Sequence, residues 1–174
     1  EANEQLKALP PQLHSDIILL IHGERSFSFY REQSADLLYS SAQIQSALFS
    51  EASLLHFCSN TLVEPAIAEV TAELMQQARS HGLWLSFDVN LRHNLWFEGK
   101  ANTGLVRRFV AEVDILKFSL DEILYLLNDT SMDIPAYVQQ LLSHKAQLVV
   151  ITHDDKPLQY FSRYAQGVLP VPQV

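Results

Sequence analysis

From Leu54 to Thr152 the hydrophobic period of this chain switches repeatedly between two values, and nothing else in it limits the possible folds so tightly. Residues 54–58, 83–87, 114–118 and 147–152 are short apolar runs of strand length. Between them, residues 64–81, 103–112, 121–127 and 134–144 repeat their apolar side chains at helical spacing. Gly82 supplies a helix stop just before the second run. Strands that alternate with helices form right-handed βαβ units, so the expectation is an α/β fold: a parallel sheet with helices on both faces.

The flanks are simpler. Residues 16–21 and 26–31 are strand-like, the second alternating Phe27 and Phe29 with Ser26 and Ser28, and His22-Gly23-Glu24-Arg25 reads as a tight turn between them. A small β-hairpin over about 16–31 is expected. Residues 158–161 and 168–171 return to short strands. Pro10-Pro11 ends any helix begun over 4–9, and nothing functional is legible in residues 1–12. Without repeats or long linkers, residues 1–174 read as a single α/β domain with the hairpin appended.

Composition narrows the function. The chain has 174 residues, 48% of them hydrophobic and 18% charged, which describes a globular domain with a sizeable core. Its net charge of −8, with Lys and Arg scattered, argues against a nucleic-acid partner. The longest apolar run, residues 17–21, is too short to span a membrane, and no leader pattern opens the chain. The single cysteine, Cys58, cannot form an internal disulfide. A cytoplasmic location is therefore expected, with Cys58 a small core residue.

The segment Ser86-Phe87-Asp88-Val89-Asn90-Leu91-Arg92 carries the most chemistry. It follows a predicted strand directly, and open α/β sheets hold their ligands beyond the carboxyl ends of strands. Asp88 and Asn90 can accept from sugar hydroxyls, while Arg92 offers a fork suited to phosphate or carboxylate. The plainer alternative is a turn at Asp88 and Asn90 with a solvated arginine. The five glycines allow neither a G-x-G-x-x-G nor a G-x-x-x-x-G-K-[ST] pattern, so Rossmann and P-loop cradles are disfavoured. The seven histidines show no zinc-ligand spacing. Ser119-Leu120-Asp121-Glu122 is a capping box at the start of a helix, worth about 1 kcal/mol.

Taken in order, Gly23 to Arg31 with Ser34-Ala35-Asp36, Leu55 to Asn60, Asp88 to Arg92 and Asp114 to Glu122 resemble the middle of a fructokinase-like sugar kinase of the ribokinase (PfkB carbohydrate kinase) family. The resemblance runs from about Gly23 to Val174. It implies an ATP-dependent enzyme with Mg2+, phosphorylating fructose to fructose 6-phosphate. Phe29 and Arg31 match a lid hairpin over the sugar, with Tyr30 facing away. Asp88 and Asn90 match the sugar site, and Arg92 matches a catalytic arginine. Glu122 matches a glutamate that organises magnesium-bound water, although Ser119 stands where the family has Asn. Thr152 matches a residue beside the nucleotide, but the glycines that follow it in relatives are Asp154 and Pro157 here, which implies an altered loop.

The family's glycine-rich run bearing the catalytic base would follow Val174, and its amino-terminal strand would precede Glu1. The expectation is thus a partial record of a longer kinase. Lid hairpins in this family pair across dimers, which implies a homodimer. Two other readings stay open: a 2-keto-3-deoxygluconate kinase, whose substrate carboxylate would engage Arg31 and Arg92, and a non-catalytic sugar-binding or oligomerisation module.

Overall fold

The structure, a computed structural model, describes residues 17–21, 24–28, 31 and 34–171. The described residues up to Tyr39 and those from Ser40 onward form two compact units. In the first, β1 (Ile17–Ile21) and β2 (Glu24–Ser28) pair antiparallel, with Ile17 opposite Ser28 and Ile21 opposite Glu24. The second strand begins two residues earlier than the sequence suggested. Glu24 and Arg25 join the ladder, and the turn expected over 22–25 otherwise lies outside the described residues.

The second unit is a six-stranded sheet in the order β3 (Leu54–Cys58), β4 (Trp84–Asp88), β5 (Ile115–Ser119), β6 (Leu148–His153), β7 (Lys156–Ser162) and β8 (Gln166–Leu169). The first four strands are parallel and the last two antiparallel, so the sheet is mixed rather than wholly parallel. The helices are α1 (Ala47–Ser50), α2 (Pro65–Ser80), α3 (Thr103–Val110), α4 (Leu120–Leu127) and α5 (Ile134–Ser143). Local chemistry fixes their ends. Pro65 opens α2 where its missing N–H costs nothing, and Gly82 follows its end at φ 78°. Asn102 caps α3 by accepting from the Leu105 N–H at 3.0 Å, and Asp133 caps α5 by accepting from the Ala136 N–H at 2.8 Å.

Strand parity decides where the core sits. Phe57, Leu85, Phe87, Leu116, Phe118, Val149 and Ile151 share one face of the sheet and are all buried, against Val106, Phe109, Ile123, Leu126, Val138 and Leu141 from the helices. Each such side chain contributes on the order of 1.5–3 kcal/mol. Phe57 and Phe87 stack at 4.6 Å across the β3–β4 pair. Buried residues of α2 to α5, among them Met75, Val106, Ile123 and Val138, form one core cluster with this face of the sheet. The other face carries His56, Ser86, Asp88, Lys117 and Thr152, all at least part-exposed, with Leu54 and Trp84 more than 40% exposed. Among the described residues, no helix covers it. Cys58 belongs to that face, in register with Asp88, and is half-buried rather than a core residue. No helix among the described residues is long and apolar enough to cross a membrane.

Candidate active site

Asp88 is the last residue of β4, and the β4–β5 register sets it beside Lys117. The Lys117 ammonium lies 3.1 Å from the Asp88 carboxylate, both side chains about one third exposed (37% and 30%). The next N–H, that of Val89, donates to the Lys117 carbonyl at 3.0 Å, extending the ladder by one bond beyond the strand. The chain then turns at Asn90, whose φ of 38° lies in the left-handed region that Asn tolerates better than most side chains. Val89 and Leu91 are buried, which leaves the alternate residues Asn90 and Arg92 part-exposed.

Two side chains from elsewhere hold this turn. The Ser59 hydroxyl, fully buried just past β3, donates to the Asn90 carbonyl at 3.1 Å. Glu122 Oε1 accepts the Leu91 N–H at 2.8 Å. Its other oxygen accepts the Ser119 N–H at 2.6 Å, and Ser119 Oγ accepts the Glu122 N–H at 3.2 Å, the capping box expected from the sequence. A carboxylate offers about four acceptor positions, so Glu122 keeps capacity for further donors.

Thr152, near the end of β6, lies in register with Ser119 and donates to the Phe118 carbonyl at 3.3 Å. Beyond it the chain reverses into β7, with His153 opposite Lys156 and Asp154 at φ 44°. The loop thus keeps a left-handed residue without glycine, because aspartate tolerates that conformation. Asp88, Asn90, Arg92, Glu122 and Thr152 therefore share one edge, the carboxyl ends of three adjacent strands. Lys117 and Ser59 join them there, and neither was marked by a local motif.

The hairpin residues belong to the first unit. Phe29 and Tyr30 lie outside the described residues. Arg31 forms an ion pair with Asp36, and the Ser34 hydroxyl donates to the Arg31 carbonyl at 2.9 Å and to Asp36. Partial burial pushes the Asp36 carboxyl up, but hydrogen bonds from Ser34 and Arg31, with the guanidinium charge, outweigh it and hold the group below its ordinary value. Among the described residues, no three His, Cys, Asp or Glu side chains cluster as metal ligands.

An open α/β sheet that gathers polar side chains at the carboxyl ends of its central strands carries them where such sheets hold their ligands. Comparison with known proteins makes the class specific. Residues 16–174 match the pfkB family carbohydrate kinase model, and the chain belongs to that family. It is 33% identical over 149 residues to the fructokinase of Vibrio alginolyticus, covering 84% of this chain and 47% of that protein. A crystal structure of fructokinase with bound ATP from Xylella fastidiosa superposes with a TM-score of 0.82 at 39% identity, covering 91% of this chain and 49% of that one. The fructokinase of Vibrio cholerae, solved with fructose, ADP and calcium ion bound, gives 0.76 at 27% identity, covering 92% and 52%. The ribokinase-like fold is thereby established. The chain spans about half the length of the curated relatives it matches.

Proposed function

We propose that the protein carrying this chain is a fructokinase, transferring the γ-phosphoryl group of ATP to a primary hydroxyl of fructose to give fructose 6-phosphate. The observation that carries this reading is the left-handed turn at Asn90, which sets Asp88, Asn90 and Arg92 at the end of a central strand in a chain of this family. In such a reaction the protein chiefly positions the partners and stabilises charge. Asp88 and Asn90 accept from sugar hydroxyls, and Arg92 holds the sugar and the transferring group. Thr152 borders the nucleotide. Magnesium, when bound, neutralises charge on the phosphates, and the remaining acceptor capacity of Glu122 fits a metal-bound water better than direct ligation.

The same reading assigns Phe29 and Arg31 to a lid over the sugar and places the protein in the cytoplasm. It also pairs the β1–β2 hairpin across a homodimer. Light scattering on the intact protein tests the dimer.

A coupled assay of ADP release by the full-length protein tests the function. Fructose is expected to be the best substrate, and Arg92→Ala to lower kcat/KM by orders of magnitude, about 2.7–4 kcal/mol of lost transition-state stabilisation. A clear preference for 2-keto-3-deoxygluconate would transfer the assignment to an acid-sugar kinase. No sugar-dependent release, with sugar still bound, would make the protein a binding module.

A further inference from the structure

We infer that Ser59 and Glu122 are positioning residues that together lock the left-handed turn at Asn90 and so aim Arg92; this rests on the kinase reading above. A non-glycine residue held at positive φ persists where its surroundings over-determine it. At Asn90 three hydrogen bonds from three separate elements do so. The β5 backbone takes the Val89 N–H at 3.0 Å, the Ser59 hydroxyl reaches the Asn90 carbonyl at 3.1 Å, and Glu122 takes the Leu91 N–H at 2.8 Å. The clamp is itself rigid. Glu122 is anchored through its second oxygen to the Ser119 N–H at 2.6 Å, so its carboxylate cannot swing away from Leu91 without breaking the cap of α4.

Ser59 is one of only three buried polar or charged residues among those described, beside Thr71 and Asp114. The other two have evident structural tasks. Thr71 bonds the carbonyls of Ile67 and Thr61, and Asp114 bonds Arg79 and the Leu85 N–H. The Ser59 hydroxyl instead spends its proton on the one carbonyl that belongs to the strained residue of the site. With Val89 and Leu91 anchored in the core on either side, the geometry leaves Arg92 little freedom in where its side chain begins. A fork that must meet both sugar and phosphate needs that precision, since a misplacement of about 1 Å can cost roughly 100-fold in rate.

The test is a double-mutant cycle in the full-length protein. Ser59→Ala and Glu122→Gln are each expected to lower kcat roughly 10- to 100-fold with a smaller change in KM for the sugar. In an Arg92→Ala background Ser59→Ala should cause no further loss, because the arginine it aims is gone, whereas Glu122→Gln also removes an acceptor assigned to metal-bound water and is judged by the cleavage readout below. A Ser59→Ala loss that multiplies in that background overturns the inference while leaving the kinase reading intact. An Arg92→Ala enzyme of normal activity overturns the reading of Arg92 and this inference with it. Ser59→Cys, which keeps the volume and a weak donor, should recover part of the Ser59→Ala loss and serves where the alanine variant folds poorly. A readout independent of activity is native-state trypsin cleavage after Arg92, expected to quicken several-fold in Ser59→Ala and Glu122→Gln. Unchanged cleavage in both variants would show that these bonds do not hold the loop.

Discussion

Lys117 Nζ stands 3.1 Å from Asp88 Oδ1, tying the last residue of β4 to the middle of β5 on the face of the sheet that no described helix covers. With both side chains about one third exposed, solvent screening leaves such a pair worth at most about 1 kcal/mol. Its main effect is to fix where the Asp88 carboxylate points. Lys117→Met is therefore expected to change Tm by only a few degrees, yet to raise KM for the sugar several-fold in the full-length enzyme. Unchanged sugar KM in Lys117→Met would remove Lys117 from the site.

At the opposite end of the sheet, Asp114 performs a stabilising task that the active edge does not share. It is buried, accepts two hydrogen bonds from Arg79 at 2.8 and 2.9 Å, and accepts the Leu85 N–H at 2.8 Å. Its own carbonyl receives the N–H groups of Gln147 and Leu148, so one residue joins β4, β5 and the entry to β6. Asp114→Ala strands a buried N–H, while the part-exposed Arg79 can rehydrate, and the expected loss is about 2–3 kcal/mol. Asp114→Asn keeps an acceptor for Leu85 and should lose about half as much. Denaturant midpoints at unchanged slope measure both, and a loss within error for the alanine variant would contradict this account.

The parallel half of the fold was legible because its strands alternate buried and part-exposed residues while its helices repeat at helical spacing. The bounds expected for β3, β4, β5 and β6 fall within one residue of those observed. The antiparallel return of β7 was less clear. Its first residues, Lys156 and Pro157, are exposed and polar or turn-forming, and the left-handed Asp154 that starts it carries no glycine signal. Asp88, Asn90 and Arg92 stood out as polar groups directly after an apolar strand. Ser59 and Lys117 did not, because their roles come from strands brought together over 31 and 29 residues of sequence. Cys58 shows the same limit. Its apolar neighbours suggested the core, whereas strand parity assigns it to the exposed face.

Gly82 offers a test of pure backbone conformation. At φ 78° it ends α2, and a Cβ built there would meet nothing within 4 Å. Packing therefore contributes nothing, and Gly82→Ala should cost only the penalty of a left-handed alanine, about 1–2 kcal/mol. Gly82→Asn should cost less, since Asn visits that region more readily. Equal unfolding midpoints for the two variants would show that the turn relaxes to another conformation.

Tyr137 supplies a pH dependence with a definite sign. Burial pushes its phenol up to about 12 from an ordinary value near 10, against an opposing effect from the Arg107 charge. Below pH 10 the phenol is neutral in both folded and unfolded chains, and the stabilisation is fully present. Between about 10 and 12 the unfolded chain gives up this proton while the folded one retains it, so unfolding releases a proton and stability falls as pH rises. The slope approaches about 1.4 kcal/mol per pH unit for this one group. Other groups titrate over the same range, and comparison with Tyr137→Phe cancels them. The two proteins should be similarly stable at pH 8.5, with the phenylalanine variant gaining an increasing advantage toward pH 11.5, measured as the difference in denaturant midpoints. A difference that stays constant across that range would mean the phenol is equally solvated in both states, contrary to its burial beside Phe118 of β5.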